Sequence, residues 1–382
     1  MTDKKRLIID AHQDLAWNMA TFGRDYTRSA HETRKLEKNT FAPQHVGDAL
    51  LGWDNYQRGR VALVFSTLFA APIRRQEGEW DLVCYHDPEE AHKLYRQQLD
   101  GYHRLVDEHP NKFTLITDRA ALAAHIADWE SALPWQETDP EDPEEIVENT
   151  GLPVGLVPLM EGAEGIRHVE ELPEWWESGV RIIGPAWAGT RFCGGTREPG
   201  PLTSAGHELL ETMGALGFIL DLSHMDPYAA LQALDIYPGT VIASHANPLA
   251  LLPRTESNRF LPDELIEAII QRDGIIGAVP FNKFLEDDWV MGMRRELVGI
   301  EKVVAVIDHI CQIAGDARHV GFGSDFDGGF GWQHVPYQID TIADLHLLAP
   351  LLAEKGYSDD DLDAIFGKNW LNMLQSALPE GK

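Results

Sequence analysis

A chain of 382 residues, 44% of them hydrophobic, can bury a large core, either as two conventional domains or as one barrel. Its 61 acidic residues against 32 basic ones leave a formal net charge of -29, which repels nucleic-acid phosphates and anionic lipid and argues against both as partners. Three widely spaced cysteines, Cys84, Cys193 and Cys311, suggest neither a disulfide framework nor a thiolate zinc site, and no stretch nears the ~20 apolar residues of a membrane span, so a protein of the reducing cytoplasm is expected.

In chain order, eight short segments rich in β-branched and aliphatic residues stand out: RLIIDAH, RVALVFSTLFA, VGLVPLME, VRIIGPAW, GFILDLSH, TVIASH, GIIGAVPF and HVGFGSD. Amphipathic stretches lie between them. EEAHKLYRQQLDGYHRLVDEH follows the second, and PDELIEAIIQRDG, with Pro262 at its start and Gly274 at its end, follows the sixth. Continuous apolar strands alternating with helices imply parallel pairing with both faces covered. The expected fold is a (β/α)8 TIM-type barrel spanning residues 1–382 as a single domain, with an insertion between strands 2 and 3. An open doubly wound sheet is the competitor, weakened because no G-x-G-x-x-G or phosphate-cradling loop opens a helix. The insertion contains QETDPEDPEEIVENT at 136–150, where seven of fifteen residues are acidic, and this is expected to be a solvated excursion.

Polar residues cluster at the ends of the strands. His12 and Asp14 stand at i and i+2 after the first strand, so they project to one side while Gln13 faces away. Glu161, His224, His245 and Asp325 each follow another apolar run directly. Taken singly, each reads as a hydrogen-bonded residue at a strand end. Taken together they select one rim, the C-terminal mouth where barrel active sites are built. Three histidines and two carboxylates exceed the three protein ligands of one catalytic zinc and suit two metals sharing a carboxylate. Imidazole and carboxylate without sulfur point to two zinc ions, with manganese, cobalt or iron as alternatives. Asp325, the first polar residue after the last strand, is the candidate proton shuttle, and Asp327 is expected to brace its loop.

These residues also carry a likeness. The motifs DAHQDL, LMEGAEG, LDLSH, SHANP, NRFLPDEL, IDHICQIAG, HVGFGSDFDG and GKNWLNML occur in the order found in the membrane (renal) dipeptidase family of binuclear zinc peptidases, which the chain resembles over nearly its whole length. The resemblance implies that His12 and Asp14 bind one zinc, that Glu161 bridges, and that His224 and His245 bind the second. It implies that Asp325 is the acid/base and that Arg259 contacts the substrate's terminal carboxylate. It also exposes departures. Trp187 stands where the family usually has a substrate-contacting histidine, Val279 to Phe281 replaces V-N-F with Asn282 following, and Gly-Ala-Glu replaces Gly-Gly-His after Glu161. Trp187 and Asn282 are therefore expected to face the substrate.

The function expected is metal-assisted hydrolysis of the amide bond of a small dipeptide, with an N-acyl amino acid as the related substrate and a homodimer, common in the family, as the assembly. A lactonase or phosphoesterase on the same barrel, and a non-catalytic barrel binding protein, are the alternatives.

Overall fold

The computed structural model describes residues 6–132 and 151–381. Its centre is a closed parallel barrel of eight strands: β1 (Ile8–Gln13), β2 (Val61–Phe69), β3 (Val154–Glu161), β4 (Ile182–Gly184), β5 (Ile219–Asp221), β6 (Val241–Ala243), β7 (Ile275–Ala278) and β8 (Val320–Phe322). Each pairs in parallel with its neighbours, and pairing of β1 with β8 closes the ring. All eight apolar segments form the expected strands. They are buried nearly throughout because helices cover the outside and side chains fill the inside, which is why they lack the alternation of a half-exposed sheet.

The connection between β2 and β3 contains the expected amphipathic helix, with further elements after it. Its described part holds a 21-residue helix, Pro88–Glu108, a strand, Phe113–Leu115, and a second helix, Arg119–Ser131. The strand adds in parallel to the lower half of β3, pairing Phe113 with Val154, while β4 pairs only with the upper half from Leu159 onward. Short β4 thus leaves an edge that the insertion fills. The acidic run at 136–150 lies outside the described residues.

The C-terminal helix, Asn369–Ala377, is tied to β8 and the turn before it. The Asn369 amide donates to Ala317 O at 2.7 Å and Val320 O at 2.8 Å, and Trp370 Nε1 donates to Phe322 O at 3.0 Å. Gly321 is where the Trp370 indole comes against β8, in space that a Cβ would occupy. GKNWLNML therefore has a structural part, tying the C-terminal helix to β8.

Candidate metal centre

His12, at the end of β1, is fully buried. Gln13 turns away as the alternation requires, donating to Asp10 at 2.6 Å and accepting from Tyr56 Oη at 2.6 Å. Asp14 is the N-cap residue of the helix Leu15–Phe22, yet its side chain accepts no capping bond, and its Oδ1 has no hydrogen-bond partner. Its Oδ2 lies 3.6 Å from His12 Nε2. A carboxylate released from its ordinary capping role thus joins the imidazole beside it.

One atom organises the centre. Glu161 Oε1, at the end of β3, lies 3.8 Å from His12 Nε2, 3.1 Å from His224 Nε2 and 3.4 Å from His245 Nε2. The last two nitrogens are 2.9 Å apart. Asp325 Oδ1 lies 4.0 Å from His12 Nε2. His12, Glu161 and His245 form one group able to hold a metal, and His12, Asp14 and Asp325 another. The side chains of the six rim residues picked out by strand position therefore converge on one point.

Hydrogen bonds behind the histidines set their orientation. Ser244 Oγ donates to Asp221 Oδ2 at 2.5 Å, so at 2.9 Å from His245 Nδ1 it accepts, and the Nε2 lone pair of His245 points into the centre. Thr196 Oγ1 engages His224 Nδ1 at 2.9 Å. Asp221 also accepts from the Ser244 amide at 2.8 Å, tying β5 to β6. Asp10 does the same between β1 and β8, accepting from Ser324 N at 2.6 Å and Ser324 Oγ at 2.5 Å. Asp10, Asp221, Ser244 and Thr196 were missed by sequence reasoning. The signal was present for three of them: an aspartate two or three residues before a ligand, and a serine directly before the ligand on the paired strand.

The electrostatics fit a cation. Burial would lower the His12 pKa, but the carboxylates of Glu161, Asp14 and Asp325 outweigh it and push the imidazole up to about 10. Burial raises Glu161 well above the carboxylate range and pushes Asp325 up to about 7, with His12 opposing in both cases. Burial, with Arg259 and His12 nearby, holds His224 and His245 well below the usual histidine value, in the neutral form that ligates metals. Buried carboxylates around imidazole lone pairs, with unpartnered Asp14 Oδ1, suit divalent metal ions. His224 and Asp325 both have positive φ, 66° and 56°, a backbone cost of ~1–3 kcal/mol each that tertiary contacts must offset.

A cavity of about 780 Å³ opens over the centre, and Asp14, Glu161, His224, Arg259, Trp187 and Asp325 line it. Arg259 is buried, donates from Nη2 to His245 O at 2.7 Å, and leaves Nε without a partner. Trp187 stands 6.2 Å, centroid to centroid, from the His224 ring. Asn282 does not fulfil the expectation of substrate contact. Its neighbours Phe281 and Lys283 line the cavity, whereas its amide is fully buried and donates to Val335 O at 3.1 Å, because the turn Asn282–Phe284 rotates it away. Asp327 also points elsewhere, accepting from Leu50 N at 2.8 Å and Tyr26 Oη at 3.1 Å and pairing with Arg24.

Comparison with known proteins places the chain among relatives and shared folds. A protein of Klebsiella pneumoniae encoded in the pqqA 5' region is 32% identical over 233 residues, covering 58% of this chain and 82% of that protein. An uncharacterised dipeptidase of Schizosaccharomyces pombe is 29% identical over 227 residues, 57% of this chain but only 52% of that protein. A crystal structure of a Rhodobacter sphaeroides metallopeptidase, liganded with a phosphinate mimic of the dipeptide L-Ala-D-Ala, shares the fold at a TM-score of 0.75 and 22% identity, covering 98% of this chain and 100% of that one. The profile of the membrane dipeptidase family, peptidase family M19, matches residues 141–378, more than half of the sequence, and the chain belongs to that family.

Proposed function

We propose that this protein hydrolyses the amide bond of small dipeptides using two zinc ions, one held by His12 and Asp14, the other by His224 and His245, with Glu161 shared between them. The dipeptidase class follows from family membership, which disfavours the lactonase, phosphoesterase and binding-protein alternatives. The observation that supports two metals is Glu161 Oε1, within 3.8 Å of all three imidazole Nε2 atoms, where one carboxylate can serve both sites. Bound there, the metals supply Lewis acidity toward the scissile carbonyl and make water nucleophilic at neutral pH.

The chain's own groups do the rest. Arg259, fixed by His245 O and with Nε unsatisfied, takes the substrate's free carboxylate and sets its orientation. Asp325 takes a proton from the attacking water and delivers it to the leaving amine. Its position across from His12 and its contact with the cavity support that role. An N-acyl amino acid would present the same amide and carboxylate to these groups.

The test is a substrate panel on protein reloaded with zinc, manganese or cobalt after chelation. Free-acid dipeptides should be cleaved, with activity lost on chelation and restored by metal. Turnover of lactones or phosphate esters with no cleavage of any dipeptide would overturn the proposal.

A further inference from the structure

The mouth of the barrel carries aromatic rings on two opposed arcs. On the arc of β6 to β8, Phe284 lies 5.4 Å from the Arg259 guanidinium, and Phe281 stacks on Phe330 at 4.1 Å. On the arc of β1 to β4, Trp17, Phe69, Trp80 and Trp187 line the cavity. Phe69 meets Trp187 at 5.0 Å and Trp17 at 6.4 Å, and Trp17 meets Trp80 at 6.4 Å, all edge to face. Trp80 is backed in turn by Phe22 at 5.7 Å and His45 at 4.6 Å. The cluster is thus a braced wall. Phe69, Trp80 and Trp187 nevertheless keep part of their surface open.

Arg259 stands beside Phe284 on the first arc, and Glu161 ends β3 on the second, so a dipeptide with its carboxylate on Arg259 and its scissile carbonyl at Glu161 would extend its N-terminal residue toward the second arc. We propose that this arc is a subsite for a large apolar side chain, aromatic by preference, on the N-terminal residue of the substrate. The inference rests on the dipeptidase reading and on Arg259 as the carboxylate anchor.

Three observations support it. The open faces of Phe69, Trp80 and Trp187 accept another ring at the 4.5–7 Å spacing that aromatic pairs favour. The cavity of about 780 Å³ is in the upper part of the ~300–1,000 Å³ span of ligand pockets, far more than two alanyl residues fill. Arg75, a basic group on this arc, is already engaged, pairing with Glu198 at 2.7 Å. An acidic side chain would therefore meet no free counter-charge from Arg75.

The test compares kcat/KM for Phe-Ala, Ala-Ala and Ala-Phe in the metal-loaded wild type and in Trp80→Ala and Trp187→Ala. Phe-Ala should exceed Ala-Ala on the order of tenfold or more. Both substitutions should shrink that ratio, while the ratio of Ala-Phe to Ala-Ala changes less. A second readout, independent of turnover, is the Kd of Phe-Ala against Ala-Ala on Asp325→Asn, where the same preference is expected. Cleavage of Ala-Ala with no advantage for Phe-Ala, or an advantage unaffected by both substitutions, would overturn the subsite and leave the dipeptidase reading intact. Failure to cleave any of the three would overturn both.

Discussion

Asp325 occupies the first position beyond β8 at which a side chain can face the metal centre, and it holds a positive φ to do so. Its backbone nitrogen donates to His12 O at 3.2 Å, which fixes the carboxylate beside the His12 and Asp14 pair without making it a necessary ligand. Replacement by asparagine keeps the shape and removes the proton acceptor. Asp325→Asn should lower kcat by roughly 10²–10⁴-fold, the usual contribution of general acid–base catalysis, with metal content per chain unchanged. Loss of metal in step with loss of activity would make it a ligand instead. Arg259 is tested by substrate chemistry: Arg259→Ala should raise KM for free-acid dipeptides by the loss of a charge-assisted contact, about 1.5–3 kcal/mol, and amidated dipeptides should not show that loss. Equal cleavage of acid and amide by the wild type would remove the anchor.

At the scale of elements, the barrel strands were legible because each is a buried apolar run with no competing period, and the ligands were legible because each run ends abruptly in a polar residue. Orientation beyond the strand was not. Asn282 has the right residue type and place in the chain, but the turn that rotates it from the cavity is set by packing against Val335, over fifty residues away. The strand Phe113–Leu115 was likewise hidden, since only three residues pair and the edge they fill exists only because β4 is short. His125, on the helix after that strand, shows how such packing tunes stability. It donates from Nε2 to Ala62 O at 2.7 Å and fills space that Gly155 leaves open on β3. Burial lowers its pKa below the usual histidine value, against that hydrogen bond and Asp128. The neutral ring is favoured in the fold, so its contribution is complete above about pH 6.5 and declines as the pH falls below that value, by at most about 1.4 kcal/mol per unit. Denaturant unfolding at pH 7 and pH 5 should show a smaller acid-induced loss in His125→Gln than in wild type. An identical loss in both would remove His125 as a source.

For the whole molecule, the net charge of -29 says little about the reaction, yet it coexists with a centre whose own carboxylates need cations. The closed barrel brings residues from position 12 to position 325 within reach of Glu161, and that convergence was foreseeable from strand ends alone. The ties that hold it, Asp10 to Ser324 and Asp221 to Ser244, link neighbouring strands, so the spacings that mark them in the sequence take their meaning from the strand order. The claim that two metals share one carboxylate is tested most directly by anomalous diffraction at the zinc edge from crystals of zinc-loaded protein. Two peaks per chain are expected, one beside His12 and Asp14, the other beside His224 and His245, both touching Glu161. A single peak, or peaks away from Glu161, would contradict it.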